Sequence, residues 1–163
     1  MEGASAPDVP VVDLVDGSGV VASLSTVGFV ALREHGVAEA DLSAMRELLV
    51  DLFAVDEASK ARQAITRENY RGFIPQRFFT PNRDSKAGNG TATADGFEGY
   101  KLHWECPSGH PVRNECSLYG PNRWPEHPAR MQQVVASWWV AMEGLVDRLL
   151  DELADEMGLG KTL

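Results

Sequence analysis

Residues 131–157 read MQQVVASWWVAMEGLVDRLLDELADEM, and this stretch decides the fold. Met131, Val134, Val135, Trp138, Trp139, Met142, Leu145, Val146, Leu149, Leu150, Leu153 and Met157 recur at intervals of three and four, the spacing of one face of an α-helix. Pro128 stands where a first helical turn tolerates proline, and Gly158 where a left-handed C-cap calls for glycine. A helix of this extent is roughly 45 Å long. Two tryptophans and four leucines lie on its apolar face. That face is too long and too rich for the small elements that precede it, so the pattern predicts a covering surface that these 163 residues do not supply. An apolar patch of such size marks an interface.

Working back along the chain, the signals become shorter. Leu42, Met45, Leu48, Leu49, Leu52 and Phe53 form a second amphipathic helical face, with Asp41, Arg46, Glu47 and Asp51 opposite. Asp56 is placed to cap a short helix, with Glu57 in its first turn near the positive end of the helix dipole. Val9–Leu14 and Gly28–Glu34 read as strands, the first closed by Asp16-Gly17-Ser18-Gly19 and the second by His35-Gly36. A brief helix fits Val20–Thr26. Turn signals mark Arg71-Gly72 and Pro75, and the aromatic run 97–107 reads as extended. Residues 119–125 read as irregular, since two prolines restrict them. Residues 1–8 read as a flexible tail, and 81–96, small and Gly-rich, as a flexible surface loop. The whole is an α+β chain with few short strands, amphipathic helices and one long C-terminal helix.

Composition narrows the function. Apolar residues make up 44%, enough for a core, and the net charge of −9 argues against nucleic acid or an anionic bilayer, which need clustered Lys and Arg. The chain has no run of apolar residues long enough for a membrane span and no secretory leader, which points to the cytoplasm. Cys106 and Cys116 are too few for a disulfide scaffold. They read as free thiols, with a local bridge as the other reading.

Six segments, in order, resemble the N-terminal region of the isopenicillin-N-synthase-like Fe(II)/2-oxoglutarate-dependent dioxygenases. They are Val9-Pro10-Val11-Val12-Asp13-Leu14, then Gly28-Phe29-Val30 with His35-Gly36-Val37, and Leu49–Phe53 followed by Asp56-Glu57-Ala58-Ser59-Lys60. The remaining three are Tyr70-Arg71-Gly72-Phe73, Asn122-Arg123-Trp124-Pro125, and Leu153-Ala154-Asp155-Glu156-Met157-Gly158-Leu159. Two features depart from the family: the segment between the first two strands is shorter than usual, and 81–96 resembles an insertion.

The resemblance implies that residues 9–163 form the N-terminal domain of an oxygenase whose double-stranded β-helix (jelly-roll) barrel, the catalytic core, is absent from this chain. It implies Fe(II) and 2-oxoglutarate as cofactors of the intact enzyme and a small organic molecule as substrate. The family's His-x-Asp…His iron triad and its 2-oxoglutarate arginine follow the long helix, so no catalytic or metal residue and no bound cofactor is expected here. Family N-terminal loops often line the substrate mouth, which makes Arg71, Tyr100, Lys101 and His103 the candidate substrate-binding residues.

Other readings compete locally. His103-Trp104-Glu105, with His110 and His127 nearby, has the His-x-acid spacing of an iron site but sits on proline-bounded loops, so it reads as a packing and solvated segment. His35 beside its turn reads as a capping or packing histidine. The terminal LADEMGLGKTL, residues 153–163, resembles the nucleotide-binding motif of Swi/Snf-type ATPases. A phosphate loop needs a strand before it and a helix after it, and here a helical pattern precedes. The alternative to an oxygenase is a non-enzymatic α+β interaction module that binds a partner through the exposed face of the long helix.

Overall fold

In a computed structural model, the described residues are 8–15, 19–66, 69–78, 96–115 and 119–160. The expected tail and the expected 81–96 loop lie almost wholly outside them. The elements run β1 (Val11–Asp13), α1 (Val20–Thr26), β2 (Ala31–Arg33), α2 (Glu39–Ala54), α3 (Glu57–Arg62), β3 (Gly72–Ile74), β4 (Gly99–Lys101), a 3-10 turn (Pro111–Asn114) and α4 (Met131–Glu156). The chain divides into two compact units, residues 1–47 with 133–163, and residues 48–132.

In the first unit β1 and β2 pair in parallel, with Val11, Val12 and Asp13 opposite Ala31, Leu32 and Arg33. Leu14, Val20, Val37, Val135 and Ala154 are its buried apolar residues. Helix α1 has no cap from its own sequence: Gly19 is left-handed and offers no side chain. The carboxylate of Glu156 takes that role, accepting from the Val20 and Val21 N–H groups at 3.0 and 2.9 Å. His35 Nδ1 accepts from the Val37 N–H at 3.1 Å, the capping role its position suggests. The end of α4 closes as the glycine signal predicts. Gly158 has φ +69°, and the Leu159 N–H reaches back to the Ala154 carbonyl at 2.9 Å. Pro128, by contrast, precedes the helix rather than entering its first turn; its carbonyl accepts from the Met131 N–H at 3.0 Å.

The second unit packs α3 with an antiparallel β3–β4 ribbon. Asp56 caps α3, accepting from the Ser59 N–H at 3.0 Å and from the Ser59 hydroxyl at 2.8 Å; the hydroxyl bond first, and then the N–H bond, hold the Asp56 carboxyl below its usual range. The segment read as a turn at Arg71-Gly72 is instead the start of β3, whose three residues are all buried. Glycine is required there for a tertiary reason. Gly72 has φ +115°, and a Cβ on it would collide with the Gln63 carbonyl oxygen. That carbonyl accepts from the Phe73 N–H at 2.7 Å, while the Ile65 N–H donates to the Phe73 carbonyl at 2.9 Å. The strand is thus fixed by the residues that follow α3 as well as by β4.

Candidate functional site

Strand register sorts the four candidate residues. Phe73 pairs with Tyr100 and Gly72 with Lys101, so Tyr100 shares the Phe73 face while Lys101 points to the other. Tyr100 donates its hydroxyl to the Arg123 carbonyl at 2.7 Å, and burial pushes its phenol up to about 12. Lys101 Nζ lies 4.0 Å from the centroid of the Tyr70 ring, a cation–π contact. Arg71 is fully enclosed at 0% exposure. His103 is held below its usual value first by burial and then by the charges of Arg71 and Lys101, against a hydrogen bond with the Tyr70 backbone. Its Nε2 is buried without a hydrogen-bond partner among the described residues. The fold therefore gathers Arg71, Lys101 and His103 with Tyr70 into one cationic cluster around a neutral imidazole. Tyr100 is set apart from that cluster.

Asn122 builds the support for the cluster, and sequence reasoning did not single out its side chain. Buried at 7% exposure, it meets the His103 peptide like a missing strand: Oδ1 accepts from the His103 N–H at 3.0 Å and Nδ2 donates to the His103 carbonyl at 2.7 Å. The neighbouring Arg123 donates to the Ala64 carbonyl at 2.7 Å and the Arg62 carbonyl at 3.3 Å, satisfying groups freed at the end of α3. Lys60 was also missed. Burial by itself lowers its ammonium, but hydrogen bonds to Glu98 (3.1 Å) and Glu57 (3.3 Å) outweigh that and hold it above its usual value. The signal for it was available in part, as the lysine of the acidic-x-x-Lys turn; its burial depends on Glu98, 38 residues away.

Around the His103-Trp104-Glu105 segment the side chains of Trp104, Glu105 and His110 are engaged in local contacts. Glu105 is spent on the Asn122 N–H at 2.6 Å, and His110 Nδ1 accepts from the Val112 N–H at 3.3 Å. Trp104 makes edge contacts with the His110 and Tyr119 rings at 6.2 and 6.3 Å. Among the described residues no three His, Cys, Asp or Glu converge to hold a metal. Cys106 is buried and free, and Cys116 lies outside the described residues. No described helix is long and apolar enough to cross a membrane. At the C-terminus α4 and its glycine cap stand where a phosphate loop would need a strand.

No curated protein matches the chain at a significant level. Among solved structures, a protein from Caulobacter crescentus assigned to the 2OG-Fe(II) oxygenase family superposes with a TM-score of 0.72 at 19% sequence identity. The match covers 93% of this chain and 49% of that one, so the chain spans about half the length of its structural neighbour. A family model described as the non-haem dioxygenase N-terminal region, named for morphine synthesis, matches residues 9–127. That match takes in β1 through the Asn122–Pro125 segment, well over half the chain, and on it the chain belongs to the non-haem dioxygenase N-terminal family.

Proposed function

We propose that these residues are the N-terminal region of an Fe(II)/2-oxoglutarate-dependent oxygenase that hydroxylates, desaturates or cyclises a small organic molecule. The observation that carries this reading is the open face of α4. Of its twelve stripe residues only Met131 and Val135 are buried, while Val146, Leu150 and Met157 stand 49%, 43% and 60% exposed. A jelly-roll barrel lying outside residues 1–163 covers that face, at about 25 cal/mol for each Å² buried. The Caulobacter protein, twice as long and assigned to the same kind of oxygenase, supports the assignment.

When bound, iron with 2-oxoglutarate supplies oxygen activation. The described residues offer no donor set for it. What these residues contribute is one wall of the substrate mouth. Lys101 gives that wall positive charge, with the buried Arg71 and the imidazole of His103 close by, which suits an organic acid, and Tyr100 supports it by anchoring β4 to Arg123. Succinate formation from 2-oxoglutarate tests the reading. The 163-residue chain forms none, whereas the polypeptide translated on through a downstream His-x-Asp sequence forms it with iron and oxygen. Turnover by the 163-residue chain, or an extension without the triad, contradicts the proposal.

A further inference from the structure

Positive charge is handled in two ways along the second unit. Lys60 is neutralised, its ammonium meeting Glu98 at 3.1 Å and Glu57 at 3.3 Å. Arg130 likewise pairs with Asp51 at 2.7 Å. Lys101 has no such partner. The chain carries 24 acidic residues against 15 Lys and Arg, yet no carboxylate among the described residues reaches the Lys101 ammonium. Its contact is the face of the Tyr70 ring, with Nζ 4.0 Å from the centroid. A ring face attracts and orients an ammonium but leaves its charge in place.

The surroundings add to that charge. Arg71 is enclosed beside β3, and its charge acts on the His103 imidazole together with that of Lys101. Glu105, two residues beyond His103, accepts from the Asn122 N–H at 2.6 Å. In a chain of net charge −9, which repels anions at large, this is a local spot of the opposite sign. Of its three nitrogen-bearing side chains, only one can meet a ligand with charge. Arg71 has 0% exposure and His103 is held towards its neutral form, whereas Lys101 is half-buried. Water screens a half-buried ammonium less than an exposed one, so an anion gains more there. A second anionic group on the same ligand would find no counter-charge among the described residues.

We infer that Lys101, oriented by the Tyr70 ring, is the specificity residue of the substrate wall and selects a ligand carrying a single carboxylate. That this anion is the substrate's rests on the oxygenase reading. Succinate formation decides that reading, and benzoate binding to the 163-residue chain decides the anion site. The test is titration of the ¹⁵N-labelled chain at low salt with benzoate, benzamide and phthalate. Benzoate gives saturable shifts at the Lys101 and His103 amides, benzamide gives none, and phthalate binds no better than its two copies of one group allow. Lys101→Met weakens benzoate at least about tenfold, the loss of a charge-assisted hydrogen bond, and Lys101→Arg restores it. Tyr70→Leu weakens it about threefold, the worth of a cation–π contact, while Tyr70→Phe keeps the ring and the affinity. Equal shifts from benzamide, or undiminished benzoate binding in Lys101→Met, would overturn the inference. So would equal affinities of Tyr70→Leu and Tyr70→Phe, or a gain of an order of magnitude for phthalate, the mark of a second cation in contact.

Discussion

Helix α4 and the ribbon β3–β4 use apolar residues in opposite ways. The ribbon is built from two three-residue strands, yet Gly72, Phe73 and Ile74 are all buried, and beside them Arg71 has no exposed surface. Helix α4 has 26 residues and far more apolar side chains, yet most of its stripe is half-open to water. Length and hydrophobicity therefore do not decide burial; the supply of a facing surface does. The ribbon is enclosed because the residues after α3, the Asn122–Arg123 segment and Lys60 close on it. Among the described residues nothing closes on the stripe of α4 to the same degree.

The contrast predicts a gradient of mutational cost, largest in the ribbon. Gly72→Ala combines a positive φ with a Cβ driven into the Gln63 carbonyl, and should cost about 3 kcal/mol or more in urea unfolding of the chain. Asn122→Ala strips both hydrogen bonds from the His103 peptide and should cost about 2 kcal/mol by the same measurement. A loss near zero for either would remove the tertiary reason given for an enclosed ribbon.

A pH effect follows from the same region. The folded state holds His103 below its unfolded value of 6.5, so the unfolded chain binds more protons between the two values. Stability is full above pH 6.5 and falls as pH drops through the lowered folded value. In His103→Asn that component of the acid loss should disappear, which unfolding curves at neutral and mildly acidic pH would reveal. The smallest effect is expected on α4: Val146→Ser, at a side chain 49% exposed, should change stability by less than about 0.5 kcal/mol. A loss as large as that of Asn122→Ala would erase the difference between the two regions.

The sequence disclosed the elements that carry their own periodicity. Helices α2 and α4 follow from apolar residues three and four apart, α3 from its Asp56 cap, and the end of α4 from Gly158. Strand β3 was hidden because a fully buried three-residue strand has no alternation, and its Gly72 and nearby Pro75 carry the chemistry of a turn. The 3-10 turn at Pro111–Asn114 left no signal long enough to read. For the candidate site, residue types pointed to Arg71, Lys101 and His103, which the fold brings together. Polarity alone could not show that Tyr100 faces the other side, because that depends on the pairing register. Lys60 and Asn122 were illegible for the same reason: their partners Glu98 and His103 lie 38 and 19 residues away.

Thiol labelling at Leu150→Cys, in a Cys116→Ser background, tests most directly whether the α4 face waits for a surface beyond residue 163. Leu150 is 43% exposed, and Cys106 is buried. The thiol should react with maleimide at the rate of an open surface site in the 163-residue chain. In the polypeptide extended through the downstream barrel it should become strongly protected. Equal reactivity in the two, or protection already in the shorter chain, would contradict the account.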